Sequence, residues 1–586
     1  MDNSGGSALK AMKELIPFEG DSLIDLIRFR ARVQPDQLAY THLKEKKNEI
    51  AEISYRELEE RILILAARLQ RRQVAGERLI LMYPSGLDYL VAYFATLFAG
   101  AIAVPVYEPR QSTHYNRLES ILKDAKPRLL LTDQATLQRS SEESIASLSL
   151  FGAEWFCTDS DEAEPVSAAD WQPIELAQDD VVFLQYTSGS TGNPKGVMVS
   201  NGNLMHNSAM IKAATKPHAD FVNVSWLPPY HDMGLIGALL QPLYSGYHCV
   251  FMSPVTAIQR PIRLLEAIQK YRGTICGGPN FIYEACVSRI RDKQLDGLDL
   301  SSWEVAFNGA EPINADTLSR FSERFEAFGF NPDAHFPCYG MAETTLFVSG
   351  AETFAGAVVR GYDKEGLARG EAIAAQGDKA RELVSSGRVF ESEMTVKIVD
   401  PVSCLPCDER RIGEIWIRGG SVASGYWQRD EVPGEDFFGL IEGDNAHRYL
   451  RTGDLGFFDG QELFISGRTK DLIIIRGKNH YPQDIEYSVA GAHAELKPDS
   501  GAAFAVDIDG FEQLVMLQEL NIRIDEAGQG EILEEIRTVV SRQHEMQLAD
   551  LRFIRPGTLP KTTSGKIQRQ AAKRMYLAML NGDSHK

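Results

Sequence analysis

The sequence predicts an α/β protein of more than one domain, and three observations support that prediction. The chain has 586 residues, more than a single hydrophobic core normally accommodates. Apolar runs alternate with helical patterns as far as about residue 350, which is typical of parallel βαβ units with helices on both sheet faces. From Val389 onward the pattern changes to short strands, which indicates a smaller β-rich unit.

The first hundred residues show the helical and strand patterns clearly. An amphipathic pattern predicts a helix over Leu23–Val33, and Tyr55-Arg56-Glu57-Leu58 begins a second helix that runs to about Arg72. The longest apolar stretch, from Leu79 to Val106, is interrupted by a proline, an aspartate and a glycine. We therefore predict no membrane span there but a strand, a helix and a strand, over Leu79–Tyr83, Leu87–Phe98 and Ala101–Val106.

The segment Ala351–Lys379 differs from its surroundings. It is rich in Ala and Gly, mixed in charge and without a clean period. Long segments of this kind in compact domains are usually functional or disordered, and we interpret it as an inserted segment or a long loop.

The rest of the chain divides into a β-rich subdomain and a C-terminal domain. The subdomain, of about residues 385–467, contains predicted strands over Thr395–Val399, Glu414–Ile417 and Leu463–Ile465. A boundary near Gly467 separates an N-terminal region, residues 1–467, from a C-terminal domain, residues 468–586. For that domain we predict strands over Ala503–Val506 and Leu514–Leu520 and helices over Ile532–Gln543 and Ile567–Leu577.

Charge and cysteine usage restrict the class of protein. The net charge is −20, from 61 basic and 81 acidic residues, which argues against general nucleic-acid binding and against an anionic membrane surface. No signal peptide is recognisable, because no apolar core with a cleavage site follows Met1–Gly6. The seven cysteines are odd in number and scattered, as is typical of reduced thiols, so we expect a cytoplasmic protein.

A polar, glycine-rich loop after an apolar strand is the clearest candidate for a phosphate site. The strand begins at Val181, and the loop reads Tyr186-Thr187-Ser188-Gly189-Ser190-Thr191-Gly192-Asn193-Pro194-Lys195-Gly196. Glycines allow backbone N–H groups to turn inward around an anion, the hydroxyls add donors, and Lys195 adds a positive charge. The loop is not a P-loop of the GxxxxGK[ST] type, because Pro194 precedes the lysine. A plain Ser/Gly linker is the alternative, but linkers rarely follow a buried strand directly.

Three further motifs are weak when taken singly. Two prolines stiffen the turn in Trp226-Leu-Pro-Pro-Tyr230-His231-Asp232-Met233-Gly234, where His231 can orient a carboxylate by hydrogen bonding. In Phe307-Asn308-Gly309-Ala310-Glu311-Pro312, a flat base can lie against the backbone. In Thr452-Gly453-Asp454, a carboxylate after a tight turn can accept both hydroxyls of a ribose. Each motif is also explained by an ordinary structural turn.

The run Cys338-Tyr339-Gly340-Met341-Ala342-Glu343-Thr344-Thr345 is a stronger combination. Tyr339 can stack on adenine, and Glu343 can hold Mg²⁺, which prefers oxygen ligands and bridges phosphates. The alternative is a helix N-terminus with ordinary surface residues. Close to the C-terminus, the loop from Pro560 to Arg569 presents Lys566, which can neutralise charge developing at an α-phosphate. A solvated basic tail is the alternative there.

Taken together, in this order and at these distances, the motifs resemble those of the adenylate-forming superfamily from about Ser22 to Leu577. Within it the chain most resembles the stand-alone fatty acyl-AMP ligases. That resemblance rests on Phe183-Leu-Gln-Tyr-Thr-Ser-Gly-Ser-Thr-Gly, Trp226-Leu-Pro-Pro-Tyr-His-Asp-Met-Gly-Leu-Ile-Gly, Phe307-Asn-Gly-Ala-Glu-Pro and Gly477-Lys-Asn-His-Tyr-Pro-Gln-Asp-Ile-Glu. It implies an α/β fold in which a large N-terminal adenylation domain, with its β-rich subdomain, precedes a small mobile α+β C-terminal domain. The active site would lie between the two.

The resemblance also implies roles for individual residues. Lys566 would be the adenylation lysine, His231 and Glu343 would be catalytic, Glu343 would ligate Mg²⁺, and Lys470 matches the hinge about which the C-terminal domain rotates. The residues implied for ATP binding are Thr187, Ser188, Gly189, Ser190, Thr191, Gly192, Lys195, Ala310, Glu311, Tyr339, Gly340, Met341, Thr344, Asp454 and Arg468. Of these, Asp454 and Arg468 would bind the ribose.

The implied reaction is attack of a fatty acid carboxylate on the α-phosphate of ATP, which yields an acyl adenylate and pyrophosphate. Fatty acyl-AMP ligases pass the acyl group to the phosphopantetheine arm of an acyl carrier protein rather than to free coenzyme A. They differ from acyl-CoA synthetases by an insertion that packs against the C-terminal domain, and Ala351–Lys379 is the candidate here. Candidate walls of an apolar tunnel are Trp226, Met233, Ile236, Phe281 and Phe347, although core packing explains any single one more often.

Carrier proteins of this kind are usually acidic, so docking on a chain of charge −20 needs a local basic surface. Basic residues concentrate near the C-terminus and suit this purpose, although a solvated helix face explains them as well; they are Lys561, Lys566, Arg569, Lys573 and Arg574.

Three other functions remain open on the sequence alone. They are a medium- or long-chain acyl-CoA synthetase, a peptide-synthetase adenylation domain, and a non-catalytic sensor of nucleotides or acyl adenylates. The inserted segment argues mildly against the first, and no carrier domain follows Lys586 as expected for the second. Intact Glu343, Asp454 and Lys566 argue against the third.

Overall fold

The architecture comes from a computed structural model of the protein. It describes residues 15–46, 49–108, 112–139, 148, 152–160, 165–187, 194–390, 392–428, 437–475, 478–508, 511–521, 524–544, 546–562 and 565–580.

A six-stranded sheet forms the first layer of the N-terminal region. Its first five strands run parallel, and the sixth pairs antiparallel with the fifth. In sheet order the strands are Glu154–Cys157, Leu129–Thr132, Arg78–Met82, Ile102–Val106, Val181–Thr187 and Lys195–Ser200.

A nine-stranded sheet forms the second layer. Its six central strands are parallel, and antiparallel strands flank them on both sides. In sheet order the strands are Arg388–Val389, Phe347–Gly350, His335–Gly340, Val305–Asn308, Ile275–Gly278, Val222–Ser225, His248–Met252, Leu38–Leu43 and Ile50–Ser54. The parallel βαβ architecture predicted from the sequence is therefore confirmed.

Helices cover both sheets and bury a shared apolar core. Two of them begin where the sequence predicts, because Ser22 and Ser54 cap them by accepting from the backbone N–H groups of Asp25 and Glu57. The α-helices of the N-terminal region are Leu23–Val33, Tyr55–Arg71, Leu87–Phe98, Ser112–Ala125, Gln134–Arg139, Asn201–Thr215, Gln241–Ser245, Pro254–Gln259, Ile262–Tyr271, Asn280–Arg289, Ala315–Phe325 and Lys364–Ala368, and Met233–Leu240 is a π-helix. Short 3₁₀ turns occupy Ala168–Asp170, Asp292–Gln294, Glu326–Phe328, Pro332–Ala334, Ala342–Thr344 and Gly377–Lys379.

The apolar stretch from Leu79 to Val106 folds as the strand, helix and strand that the sequence predicts. Leu87–Phe98 packs against Tyr55–Arg71 and lies within the core between the sheets. No helix among the described residues is long and apolar enough to cross a membrane. All seven cysteines are unpaired thiols, as expected.

The β-rich subdomain is an antiparallel five-stranded sheet. The long strand Asp444–Asp459 pairs with Gly413–Gly419, Gly439–Ile441 and Glu462–Arg468, and Met394–Val399 lies at the outer edge. This sheet carries Asp454 and Arg468 directly opposite each other.

The segment predicted as an insertion or long loop is more regular than its composition indicates. Strand Val359–Asp363 leads into helix Lys364–Ala368 and pairs antiparallel with Ala380–Val384, so the segment contains a hairpin of residues 359–384 that extends past Lys379. Its Tyr362, Leu367 and Leu383 share an apolar cluster with the five-stranded sheet and with Tyr481 of the C-terminal domain. Burial in this shared cluster stabilises the hairpin, although the local sequence pattern shows no clear period.

The C-terminal domain is built on a three-stranded sheet with helices on both faces. Leu496–Ile508 pairs antiparallel with Phe511–Leu520, and Leu548–Ile554 pairs parallel with the latter. Helices Pro482–Ala490 and Glu526–His544 share one apolar cluster with the sheet, and Arg569–Leu580 shares the other. A small hairpin, Ile473–Ile475 with Lys478–His480, precedes them.

Phe321→Ala tests the aromatic core beneath the nine-stranded sheet. Phe321 is fully buried, and its ring contacts the rings of Tyr283, Trp303, Phe325 and Phe330. We expect the substitution to lower the free energy of unfolding by about 3–5 kcal/mol, because it removes a buried ring and leaves a cavity. The measurement is urea unfolding, with Phe438→Ala, at a residue 42% exposed, as the control. Equal losses in the two variants would contradict the assignment of this core.

Candidate active site

A cavity of about 3650 Å³ lies between the N-terminal region and the C-terminal domain. Trp226, Pro279, Ala310 and Tyr339 line it, and each lies at or just after the carboxyl end of a parallel strand of the nine-stranded sheet. Ligands of open α/β sheets bind at that edge. Residues of the five-stranded sheet and of the C-terminal domain complete the walls.

The carboxylate of Asp454 joins two of the predicted site residues. Tyr339 donates its hydroxyl to Asp454 Oδ2 at 2.8 Å, and Arg468 donates Nε to Oδ1 at 2.7 Å. Asp454 is 4% exposed, and all three residues line the cavity. The chain thus brings together three residues that the sequence assigns to nucleotide binding, from two different sheets.

Ala310 and Glu311 follow the strand Val305–Asn308 and form another part of the wall. The backbone at Ala310 has φ +70°, a left-handed conformation that turns the chain sharply after the strand. Glu311 Oε1 accepts the backbone N–H of Phe281 at 2.8 Å. Burial raises the pKa of Glu311 to about 7, against the opposing effects of that hydrogen bond and of Lys566.

Glu343 lies beside a tyrosine and a lysine from other parts of the chain. Tyr426 donates its hydroxyl to Glu343 Oε1 at 2.9 Å, and the Lys195 ammonium lies 4.4 Å from the centroid of the Tyr426 ring. Burial raises the pKa of Glu343. Thr187 and Lys195 pair across the antiparallel hairpin whose loop carries the other phosphate-site candidates. Those candidates, Ser188, Gly189, Ser190, Thr191 and Gly192, lie outside the described residues.

Gly340 lies at the end of a strand and allows the neighbouring chain segment to approach closely at the cavity. A Cβ atom at Gly340 would overlap the carbonyl oxygen of Leu346, so only glycine allows the close approach of the two strands. Met341 lines the cavity. Thr344, by contrast, does not line it: the residue is fully buried, and its hydroxyl donates to the Met341 carbonyl oxygen. Thr344 therefore supports the wall from behind.

His231 and Asp232 form a close pair at the cavity wall. His231 Nδ1 lies 2.6 Å from Asp232 Oδ1, so Nε2 is the ring nitrogen that remains for a ligand. Burial acts to raise the pKa of Asp232, but His231 and Lys566 outweigh it and hold that pKa below its usual range. Asp232 therefore stays ionised and orients the imidazole.

Lys566 enters the cavity from the C-terminal domain. Its backbone N–H donates to Thr562 Oγ1 at 3.0 Å, and Lys561 forms an antiparallel bridge with Ile567 that closes the loop. Burial and the neighbouring Arg468 lower the pKa of Lys566, while Asp232, Asp454 and Glu311 raise it. Lys566 thus lies near charged residues from the turn at Asp232, from the turn at Glu311 and from the five-stranded sheet.

Lys470 follows Arg468 by two residues, where the chain leaves the five-stranded sheet. Its carbonyl oxygen accepts from Gln570 at 2.9 Å, and the neighbouring Asp471 accepts from Arg569 at 3.1 Å. Arg569 also donates to both carboxylate oxygens of Glu486. Arg569 is therefore engaged within the C-terminal domain, which contradicts its placement on a docking surface.

The apolar part of the cavity includes four of the five predicted tunnel walls. Trp226, Met233, Phe281 and Phe347 line it. Ile236 does not, because it is fully buried in the core between the sheets. The π-helix Met233–Leu240 turns Met233 toward the cavity and Ile236 away from it.

Sequence reasoning missed one residue of the site, Tyr426, and one role of Phe281, which it predicts only as a tunnel wall. Tyr426 is 83 residues from Glu343 in the chain, and Phe281 offers a backbone N–H rather than a side chain. No local pattern marks either role, since both depend on how distant segments pack. No group of three His, Cys, Asp or Glu side chains in the described ranges forms a metal cage.

The family model of AMP-binding enzymes matches residues 27–427, and that of the Disco-interacting protein 2-like AMP domain matches residues 470–581. The chain belongs to the AMP-binding enzyme family. This family membership, and the likeness to fatty acyl-AMP ligases within it, confirm the resemblance inferred from the motifs.

Individual relatives of this AMP-binding enzyme cover nearly all of it. The medium-chain-fatty-acid–[acyl-carrier-protein] ligase JamA of Moorena producens is 40% identical over 95% of each chain. FadD21 of Mycobacterium tuberculosis, named as a fatty-acid–CoA ligase, is 35% identical over 95% of this chain and 98% of its own. A fatty acyl-adenylate ligase from Legionella pneumophila, solved with acyl adenylate and pyrophosphate, has TM-score 0.75 and 38% identity over 95% of this chain and 96% of that one.

Glu311→Gln tests the electrostatics of the wall. The pKa of Glu311 is raised in the folded protein, so its stabilising contribution is fully present below pH 4.5 and is lost as pH rises through about 7. We therefore expect the thermal midpoint of Glu311→Gln to rise relative to wild type between pH 5 and pH 8. Glu326→Gln, at an exposed site, is the control and should show no such trend. A constant difference between Glu311→Gln and wild type would show that Glu311 does not titrate in this range.

Proposed function

We propose that this enzyme activates a fatty acid with ATP to an acyl adenylate and passes the acyl group to an acyl carrier protein. The observation that carries the proposal is the convergence of Lys566, Asp454 and Glu311 from separate parts of the chain on one cavity with apolar walls. The likeness to ligases of medium-chain fatty acids and carrier proteins supports the same reading.

The nucleotide would lie across the carboxyl edge of the nine-stranded sheet. In this proposal the triphosphate binds between Thr187 and Lys195, the adenine lies against Ala310 and Tyr339, and the ribose hydroxyls reach Asp454. Because Asp454 already accepts from Tyr339 and Arg468, its position is fixed before any ligand binds. A preorganised acceptor costs little further ordering on binding.

The residues present fit Mg²⁺ as a partner of ATP. Mg²⁺ commonly binds one or two carboxylates together with substrate phosphates and waters, and Glu343 offers one carboxylate near Lys195. The ion would supply charge neutralisation on the phosphates. Tyr426 would hold the Glu343 side chain in place for that contact.

The chemical step needs positioning and charge neutralisation rather than a general base. A carboxylate is ionised at neutral pH, so its oxygen can attack the α-phosphorus directly. The bond from the α-phosphorus to the bridging oxygen breaks, and pyrophosphate leaves. His231 would orient the carboxylate, and Lys566 would stabilise the charge on the α-phosphate.

The division of the chain follows from these roles. We propose an adenylation domain of residues 1–467 and a mobile C-terminal domain of residues 468–586, which rotates about Lys470. Rotation would have to break the hydrogen bond from Tyr487 to Asp316, which joins the two domains. Scattered, unpaired cysteines favour the cytoplasm as the location of the protein.

We propose that the hairpin of residues 359–384 is the inserted segment and that it restrains this rotation. Arg381 pairs with Asp484 at 2.7 Å, its guanidinium lies 4.9 Å from the centroid of the Tyr481 ring, and Tyr481 packs against Leu367. Burial raises the pKa of Asp484 to about 6, so the pair is charged at pH 7.5. The hairpin thus holds the C-terminal domain in the pose that brings Lys566 to the cavity.

A product assay with ATP, Mg²⁺ and dodecanoate tests the proposal, with coenzyme A or a holo acyl carrier protein as acceptor. We expect acyl adenylate to accumulate, to be unaffected by coenzyme A and to be consumed by the carrier. Rapid formation of acyl-CoA would make the enzyme an acyl-CoA synthetase. No acyl adenylate with any fatty acid would favour the sensor.

Lys566→Ala should lower the rate of acyl-adenylate formation by about 10²–10³-fold, the usual cost of removing one preorganised charge-stabilising group. Dodecanoate-dependent pyrophosphate release measures it. Lys573→Ala, on the same domain but in the helix Arg569–Leu580, is the matched control and should retain full activity. An unchanged rate in Lys566→Ala would refute the role of this lysine.

Arg381→Ala should raise the rate of acyl-CoA formation relative to wild type, because it frees the C-terminal domain. Loss of one ion pair of about 1 kcal/mol corresponds to about a fivefold change in the population of the rotated pose. Arg360→Ala, on the partner strand of the same hairpin, is the control because Arg360 bonds to Asp459 rather than to the C-terminal domain. Equal rates in both variants would argue against the restraint.

A further inference from the structure

Residues 452–454 form a bulge in the five-stranded sheet, and the last of them is Asp454. The register pairs on either side of the bulge are Glu414 with Leu455 and Trp416 with Arg451. Between these pairs, one residue of strand Gly413–Gly419 faces three residues of strand Asp444–Asp459. Bulges re-aim side chains beside active sites, and this one lines the cavity with all three of its residues.

The extra residues of a bulge lose their backbone hydrogen bonds to the opposite strand, and here two side chains replace them. Glu414 Oε1 accepts the N–H of Gly453 at 3.0 Å, and Thr452 Oγ1 accepts the N–H of Asp454 at 3.0 Å. The Thr452 hydroxyl itself donates to the Ile415 carbonyl oxygen at 2.7 Å. Both side chains therefore hold the main chain at or next to the residue that carries the ribose candidate.

Glu414 is itself held by three further hydrogen bonds. It is 4% exposed, and its Oε2 accepts from Nε and Nη2 of Arg451, at 3.1 and 3.0 Å, and from Nε1 of Trp416 at 3.0 Å. The Arg451 guanidinium also lies 5.2 Å from the centroid of the Trp416 ring. A buried carboxylate with this many donors has little freedom to move, so Oε1 stays in place for Gly453.

From this arrangement, and resting on the proposed function, we propose that Glu414, together with Thr452, is a positioning residue for nucleotide binding that aims Asp454 at the ribose hydroxyls. Tyr339 and Arg468 hold the carboxylate of Asp454, whereas Glu414 and Thr452 hold its main chain. Hydrogen bonds weaken steeply with poor distance and angle, so even a small shift of the bulge would cost the ribose contacts.

Glu414→Gln tests the proposal, because glutamine keeps the size of the side chain but replaces one acceptor oxygen with a donor that faces N–H groups. Isothermal titration calorimetry with the full chain measures the binding of MgATP and of Mg-2′,3′-dideoxyATP, which lacks both ribose hydroxyls. We expect the wild type to prefer ATP. Glu414→Gln should weaken ATP binding by about tenfold and change dideoxyATP binding by less than about twofold.

Asp459→Asn is the matched control. Asp459 lies on the same strand as the bulge and is as buried as Glu414, since each is 4% exposed. Its donors are Tyr362, Arg360 and Arg410. Asp459→Asn should lower the thermal midpoint, as Glu414→Gln does, because each removes the charge of a buried, paired carboxylate. It should leave the ratio of the two nucleotide affinities at the wild-type value.

Thr452→Val carries the test if Glu414→Gln does not fold. It removes the oxygen that accepts the Asp454 N–H but keeps the shape of the side chain, so we expect the same selective loss of ATP affinity. Thr452→Ser keeps the hydroxyl and should restore wild-type binding. Equal weakening of both nucleotides would show a structural role alone and would overturn the proposal, as would wild-type ATP affinity in Glu414→Gln.

The calorimetric ratio separates this proposal from the proposed function, because it requires no turnover. An enzyme that forms no acyl adenylate would refute the proposed function, yet a selective loss of ATP affinity in Glu414→Gln would still support the positioning role. Equal affinity of the wild type for ATP and dideoxyATP would overturn the positioning role, since Asp454 would then make no ribose contact.

Discussion

The site depends on one buried carboxylate. Asp454 lies on the longest strand of the five-stranded sheet and accepts from Tyr339, at the end of a strand in the nine-stranded sheet, and from Arg468, on the neighbouring strand. A buried carboxylate without partners is costly, so these donors must stay close to it. Because these donors must stay close to Asp454, they fix the two sheets relative to each other at the cavity. It also fixes the point from which the chain leaves toward the C-terminal domain, since Lys470 follows Arg468 by two residues.

The position of Lys566 in the cavity depends on where the chain leaves the five-stranded sheet. The helix that follows its loop is held to the hinge through Arg569, which bonds to Asp471 and Glu486. Burial and Arg468 both oppose the charge on Lys566, while carboxylates around the cavity favour it. An anionic substrate in the cavity would also favour the charged form of Lys566. In the proposed function, triphosphate binding and the pose that brings Lys566 to the cavity should therefore support each other. The hairpin of residues 359–384 adds a separate contact to the C-terminal domain, through Arg381 and Asp484.

Sequence patterns correctly predicted those elements for which the local sequence signals and the packing in the core favour the same structure. Leu23–Val33 and Leu87–Phe98 have the predicted limits, because their apolar faces pack into one core and, for the former, Ser22 caps the start. The hairpin of residues 359–384 lies largely in a segment predicted as an insertion or a long loop, since its order comes from an apolar cluster shared with Phe457 and Tyr481. Tunnel walls were harder still: Met233 and Ile236 look alike in sequence, and only the π-helix separates the cavity side from the core side.

The net charge of the chain opposes binding of the ligands in the proposed function. A protein of net charge −20 is proposed to bind a triphosphate, a carboxylate and an acidic partner, each of which its average field repels. The structure offsets this repulsion locally, because Lys566 lies inside the cavity while two carboxylates near it, Asp454 and Asp232, are occupied by their own donors. Carboxylates paired in this way repel an anionic ligand less, so Lys566 can determine the local charge that such a ligand meets in the cavity.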